Sequence, residues 1–170
     1  MLIRPARHED FEHVADLTNH YITHTAIHFA TTPQSPDELR ASWAGTADVY
    51  PFLVACDESA PAGERDPASF LGFAKGYRWR ERDAYARTVE VGIYISRHVQ
   101  GRGLGKRLYA ALLDDCRRRG FHSAIGGIAL PNDASERLHQ ALGFVRVGVF
   151  RQVGRKFDAW HDVAFYQLVL

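Results

Sequence analysis

Two features of the chain could do chemistry together. The first is Glu90, a carboxylate in a stretch where Val89, Val91, Ile93 and Ile95 alternate with Glu90, Gly92, Tyr94 and Ser96. Partial burial on such an apolar strand would raise its pKa toward the range of a working general base. The second is the glycine-rich run Gln100-Gly101-Arg102-Gly103-Leu104-Gly105, followed by Lys106. Where such a run opens a helix, its free backbone N–H groups and the positive end of the helix dipole make an anion site suited to a pyrophosphate. It is not a Walker loop: Gln100 stands where that loop needs its first glycine, and Arg107 rather than Ser or Thr follows Lys106. It is not the dinucleotide fingerprint either, because Lys106 occupies the place of the last glycine. What remains is Gln-x-x-Gly-x-Gly behind a strand that carries a carboxylate.

Other candidates are weaker. Arg78 to Arg87 is basic and aromatic, with Arg80, Arg82 and Tyr85 beside Trp79. It reads as an exposed basic loop or as a site for a small oxyanion. His20, His24 and His28 fall at i, i+4 and i+8, but no acidic or Cys partner is placed with them, so no metal is expected. The two cysteines, Cys56 and Cys116, lie in apolar patterns. They read as core residues of a reduced, cytoplasmic protein, not as a disulfide or an activated nucleophile.

The elements that must position these residues can be read in order. A short strand is expected at Leu2 to Arg4 and a helix from Glu9 to Thr25. Ser35-Pro36-Asp37-Glu38 is a helix start with an N-cap Ser, Pro at the first position and Glu at the third. Strands follow at Tyr50 to Cys56 and Phe70 to Tyr77, joined by a polar loop from Asp57 to Ala68 that reads as long and mobile. After the Glu90 strand, Leu104, Leu108, Ala111, Leu112 and Cys116 recur at helical spacing. Ser123 to Leu130 is a strand containing Gly126-Gly127. Pro131-Asn132-Asp133 opens a helix ending at Gly143. Phe144 to Phe150 is a strand, Gly154 to Asp158 a turn, and Trp160 to Leu170 the last strand. This order makes a mixed α/β sandwich around one central sheet.

Composition sets the limits. A chain of 170 residues is long enough for a single domain, residues 1 to 170, with a real core. The formal net charge of +1 argues against a nucleic-acid surface. No apolar run is long enough for a signal or membrane span.

The strand and loop, with Arg4-Pro5-Ala6 and Asn132-x-x-Ser135-x-x-Leu138-His139-x-x-Leu142-Gly143-Phe144, occur in the order seen in the GNAT superfamily of acyl-CoA N-acyltransferases. Within that superfamily the chain resembles the phosphinothricin N-acetyltransferase family, which includes enzymes for methionine sulfone and sulfoximine. Asn19-His20-Tyr21, Thr88-Val89-Glu90, Leu130-Pro131-Asn132-Asp133 and Trp160-His161-Asp162-Val163 are similar to that family's local signatures. The resemblance implies a mixed sheet of about seven strands flanked by about four helices. It also implies acetyl-CoA as cosubstrate, a small amino-acid-like acceptor, and a homodimer.

Roles follow residue by residue from the same resemblance. Glu90 is the expected base. Amides of Val91, Gly92, Ile93, Tyr94 and Ile95 would face the thioester and its developing oxyanion. Gln100 to Lys106 would hold the pyrophosphate, and Asn132 and Ser135 the pantetheine arm. His139 stands where many GNAT enzymes have a Tyr that protonates the leaving thiolate, and could donate that proton or position the substrate. Phe29, Arg80, Arg82, Tyr85 and Tyr94 would bind the acceptor. Gly126-Gly127, where relatives carry larger apolar residues, could reshape the acyl pocket. Another amine, such as a peptide N-terminus or an antibiotic, is the alternative acceptor. An acyl-CoA-binding module without chemistry is the alternative class, disfavoured by the intact Glu90.

Overall fold

A computed structural model of the chain describes residues 1–57, 69–99, 101 and 103–170. The alternating stretch forms β4 (Thr88–Ile95) at the middle of a seven-stranded sheet. The other strands are β1 (Leu2–Pro5), β2 (Phe52–Cys56), β3 (Phe70–Arg78), β5 (Ser123–Ala129), β6 (Val145–Lys156) and β7 (Ala159–Val169). They lie in the order β1-β2-β3-β4-β5-β7-β6. Every neighbouring pair is antiparallel except β4 and β5. Helices α1 (Phe11–His24) and α2 (Pro36–Ala44) cover one face, and α3 (Leu104–Arg118) and α4 (Asp133–Ala141) the other. This is the mixed architecture that the element order predicts.

Local chemistry starts the helices. Ser35 Oγ accepts from the Glu38 N–H while Glu38 Oε2 accepts from the Ser35 N–H, the reciprocal cap expected before α2. The stripe on α3 is buried: Leu108, Leu112 and Cys116 are each fully inaccessible, packed on Val89 and Val91 of β4. Each buried leucine of this kind contributes about 1.5–3 kcal/mol. On the other face α1 packs Phe11, Val14 and Tyr21 against Val54, Phe70 and Phe73. Signature residues at the N-terminal end prove to be ties between segments. Arg4 makes a paired bridge to Asp10 at 2.7 and 2.8 Å. Asn19 holds the backbone of Gln34 with both atoms of its amide, at 2.8 and 2.9 Å.

The loop expected from Asp57 to Ala68 lies outside the described residues apart from Asp57, whose N–H donates to Ser69 O at 2.9 Å. The expectation for the last hairpin needs correcting. β6 does not stop at Phe150 but runs to Lys156. The turn is only Phe157-Asp158, with φ of 51° and 57°. Positive φ at both central residues is what a two-residue hairpin of the right twist requires. Gly154 is therefore a strand residue. A Cβ there would lie 2.1 Å from Phe29 Cε2, so the glycine makes room for a ring from a distant segment. The register shifts between Phe150 and Gly154 form a bulge, and the Gln152 N–H within it donates to Asp162 Oδ1 at 2.8 Å.

β4 and β5 are paired only at Thr88↔Ser123, Val89↔Ala124 and Glu90↔Ile125. Beyond Glu90 the two strands part. From there β5 pairs with β7 alone, and β4 with β3 alone. Gly72 helps keep β3 on the far edge of β4: it has φ of +151° and a Cβ there would meet Tyr94 O at 2.5 Å. Gly72→Ala should destabilise the protein by roughly 1–3 kcal/mol through backbone overpacking. Urea unfolding checks this, and an unchanged midpoint would contradict it.

Candidate active site

The wedge between β4 and β5 has an oriented edge. Tyr109 Oη donates to Val91 O at 3.3 Å, and Tyr21 Oη donates to Ile95 O at 2.8 Å, both from outside the β3 pairing. A strand turns alternate backbone groups to the same side. Ile93, midway, therefore turns its N–H and C=O into the wedge, where no strand pairs with it among the described residues. Of the amides proposed from sequence, Val91, Ile93 and Ile95 turn to this edge and Gly92 and Tyr94 to β3, and Ile93 lies between the two carbonyls that the tyrosines take.

Cavities lie on opposite faces of this strand. A cavity of about 410 Å³ has Ile93 and Ile95 on one wall, the start of α3 at Gly101, Leu104 and Gly105 on another, and Asn132, Ser135 and Leu138 of α4 facing them. Gly101 and Gly103 have φ of 78° and 75°, which a side chain strongly disfavours. The helix start thus turns its first N–H groups toward the cavity without obstruction. Asn132 caps α4, accepting from the Ser135 N–H at 3.2 Å through Oδ1, which leaves its amide NH₂ for a ligand. Among the predicted cofactor residues Gln100 and Arg102 lie outside the described residues. Val91 is core, Gly92 and Tyr94 face the other way, and Gly103 and Lys106 lie off the cavity wall. Tyr21, Ile27 and Val99 line it without having been anticipated.

The second cavity, about 520 Å³, holds Glu90 and Tyr94. Its walls are Ile27 to Ala30 after α1, Tyr77 of β3, Gly127 and Ala129 of β5, and Phe150, Val153, Val163 and Phe165 of the last hairpin. Tyr77 stands directly opposite Glu90 and donates to Glu90 Oε1 at 3.1 Å. Burial raises the Glu90 carboxyl pKa, opposed in part by that hydrogen bond and by the charge of Arg80. A Cβ on Gly127 would meet Phe165 at 3.4 Å and Glu90 Oε1 at 3.8 Å, so this glycine keeps the wall open beside the carboxylate. Phe29 also lines this cavity.

Arg80, Arg82 and Tyr85 come together in a separate surface cavity of about 470 Å³ with Trp79. The two regions touch through Trp79, whose ring stands edge-on to Phe165 at 5.7 Å. The basic segment thus forms a rim beside the Glu90 cavity and does not line it.

His139 is neither a surface residue nor a cavity wall. It is 3% exposed and packed among Tyr109, Phe144 and Tyr166. Burial lowers its pKa, so the ring is neutral. Nδ1–H donates to Ser135 O at 2.8 Å, so Nε2 is an acceptor, and the single Tyr109 hydroxyl proton is shared between Nε2 at 3.1 Å and Val91 O at 3.3 Å. Gly126 explains how the ring fits: a Cβ there would lie 2.4 Å from Nε2. Sequence reading singled out both residues but gave no sign that they touch.

Burial raises the thiol pKa of both cysteines, Cys116 to about 12, so neither is a ready nucleophile. His20 and His24 stack at 4.7 Å, and among the described residues no group of three His, Cys, Asp or Glu could hold a metal. No helix among the described residues is long and apolar enough to cross a membrane.

Residues 12–144 match the acetyltransferase (GNAT) family model, and the chain belongs to that family of acyltransferases. It is 39% identical to phosphinothricin N-acetyltransferase of Streptomyces coelicolor, over 97% of this chain and 94% of that protein. It is 35% identical to the L-methionine sulfoximine/L-methionine sulfone acetyltransferase of Salmonella typhimurium, over 100% of this chain and 95% of the other. A GNAT superfamily phosphinothricin acetyltransferase from Sinorhizobium meliloti, solved in complex with acetyl-CoA, superposes with a TM-score of 0.90 at 30% identity, covering 99% of this chain and 88% of that one.

Gly126→Ala should force His139 or β5 aside and cost about 1–3 kcal/mol. Adding His139→Ser should return much of that loss, since the clash is with the ring. Thermal unfolding of the two single variants and the double variant checks the coupling; strictly additive losses would contradict it.

Proposed function

We propose that this protein transfers the acetyl group of acetyl-CoA to the α-amine of a small amino acid of the phosphinothricin, methionine sulfone or methionine sulfoximine type, by direct attack with Glu90 as general base. The observation that carries this is the pair of cavities on opposite faces of β4, with the open strand edge at Ile93 between them. A thioester laid along the α3 and α4 side presents its carbonyl at that edge. An amine in the other cavity approaches the same carbonyl from the Glu90 side.

The steps follow from the residues. An amino group is mostly protonated near neutral pH and must lose a proton to attack. Glu90, ionised, accepts it, and Tyr77 holds the carboxylate oriented. The nitrogen bonds to the carbonyl carbon, and the negative charge developing on oxygen is met by the Ile93 N–H. The C–S bond then breaks and the thiolate takes a proton. That proton balances the second one lost by the attacking nitrogen; His139, an acceptor at Nε2 and away from both cavities, only positions the Tyr109 hydroxyl at the point of the wedge. Asn132 and the helix start at Gly103 hold the pantetheine and pyrophosphate. Arg82 and Tyr85 on the rim bind the acceptor's carboxylate, guanidinium geometry being suited to it.

A homodimer is part of the proposal. β6 is the edge strand, and Val145, Val147, Phe150, Val153 and the facing Trp160 are each more than half exposed. A long apolar edge of this kind calls for a cover. A second copy meeting it would close the acceptor cavity near Phe150 and Val153. Light scattering at micromolar protein should give twice the chain mass; a monomer mass rejects this part.

Release of free thiol from acetyl-CoA over a panel of amino acids and simple amines tests the activity. Turnover on phosphinothricin or methionine sulfone is expected, and turnover on neither removes this acceptor class. Glu90→Gln should lower kcat by roughly 10²–10⁴-fold and leave acetyl-CoA affinity nearly unchanged. Because burial raises the Glu90 pKa, the acid limb of the wild-type pH profile should lie above the ordinary glutamate range. Activity rises with pH through that limb as the base ionises, and the variant should lack it. Arg82→Ala should raise the acceptor KM by a factor on the order of tens. Equal losses on an uncharged primary amine would instead assign Arg82 to the fold.

A further inference from the structure

One residue in the wall of the Glu90 cavity has no part in that chemistry. His28 lines the cavity, its ring 5.8 Å from that of Tyr94. The Ala30 N–H donates to His28 Nδ1 at 3.1 Å, so Nδ1 carries a lone pair. The proton of the neutral ring must then sit on Nε2. Among the described residues nothing accepts a hydrogen bond from that Nε2–H. The segment carrying the ring is pinned: Lys156 Nζ donates to His28 O, and the adjacent Phe29 ring fills the space that a side chain on Gly154 would need. Burial, with the cations Lys75 and Lys156 nearby, pushes the imidazole pKa down to about 4, so the ring stays neutral through the physiological range. The result is a fixed neutral imidazole in the wall of a cavity that also presents the apolar side chains of Phe29, Phe150, Val163 and Phe165, with Glu90, Tyr77 and Tyr94 elsewhere on its lining.

We propose that His28 is a specificity-determining residue for the acceptor, its Nε2–H donating to an oxygen on the acceptor's side chain. This rests on the acetyltransferase reading of the same cavity. The matching chemistry is a side chain with an apolar stem and a strongly polar S–O or P–O oxygen, as in a sulfone, sulfoximine or phosphinate. The methylene stem suits the aromatic walls. The oxygen, which would lose its water there, needs a donor, and the wall offers one at His28. A thioether side chain of the same length makes no such bond, and an oxygen left unpaired in an apolar wall is strongly disfavoured. The positive charge of Lys75 and Lys156 near the ring strengthens the N–H as a donor and favours an electron-rich oxygen.

The test compares methionine with methionine sulfone on wild type and His28→Asn. Asn keeps an oxygen near the Nδ1 position for the Ala30 N–H but lacks the Nε2–H. Wild type should prefer the sulfone in kcat/KM by roughly tenfold to a hundredfold, a span expected for one buried hydrogen bond. His28→Asn should raise KM for the sulfone and abolish the preference, leaving kcat and the methionine KM near wild type. Equal losses on both acceptors, or an unchanged preference, would overturn the proposal. Calorimetric binding of the two amino acids separates this from the transferase reading. Sulfone binding that depends on His28 without turnover sinks only the transferase reading, whereas turnover with a selectivity indifferent to His28 sinks only this inference.

Discussion

β4 and β5 run parallel for three paired positions and then separate. Two strands that part in the middle of a sheet leave backbone polar groups without their ladder, an arrangement costly unless something else satisfies them. Here tyrosines do much of that work: Tyr109 takes Val91 O and Tyr21 takes Ile95 O. What stays open is the stretch at Ile93, which lines one cavity while the next residue, Tyr94, lines the other. The opening is rigid because both strands are clamped on their outer edges, β4 by β3 and β5 by β7. A site made from strand backbone keeps its geometry without the entropy cost of ordering a loop.

The closed end of the wedge carries a small polar cluster in an otherwise apolar core. Tyr109 and His139 are both buried and bonded to each other, and each also bonds to backbone, at Val91 O and Ser135 O. A buried imidazole without such partners would be strongly destabilising. The histidine fits because β5 has a glycine at its point of contact. Gly126 therefore links α4 to the sheet by what it lacks, while the next residue, Gly127, opens the opposite face beside Glu90.

Charge is distributed unevenly around the acceptor cavity. Glu90 is held in a half-buried position whose desolvation favours the protonated form, and Tyr77 and Arg80 pull the other way. On the far wall His28 is kept neutral by burial and by Lys75 and Lys156. Arginines stay on the rim, where water screens them. A carboxylate, a neutral imidazole and a cationic rim are thereby separated in one small space, the division that the proposed acceptor calls for.

Much of this was legible in the residues. The period-2 run around Glu90, the stripe of α3, the reciprocal cap at Ser35 and Glu38 and the glycines opening α3 are local patterns, encoded within a few neighbours. The sequence alone therefore determined the element order and the base candidate, and it placed the anion loop between them. It could not show that Gly154 serves Phe29 or that Gly126 serves His139, because a glycine reads as a turn signal whenever its distant neighbour is unknown. That is why the hairpin turn was expected too early. Nor could it show Tyr77 opposite Glu90, the arginines on a rim outside the cavity, or the proton of His28 held on Nε2. Those depend on strand register and on side chains from remote segments meeting, and only tertiary packing decides which residues share a wall.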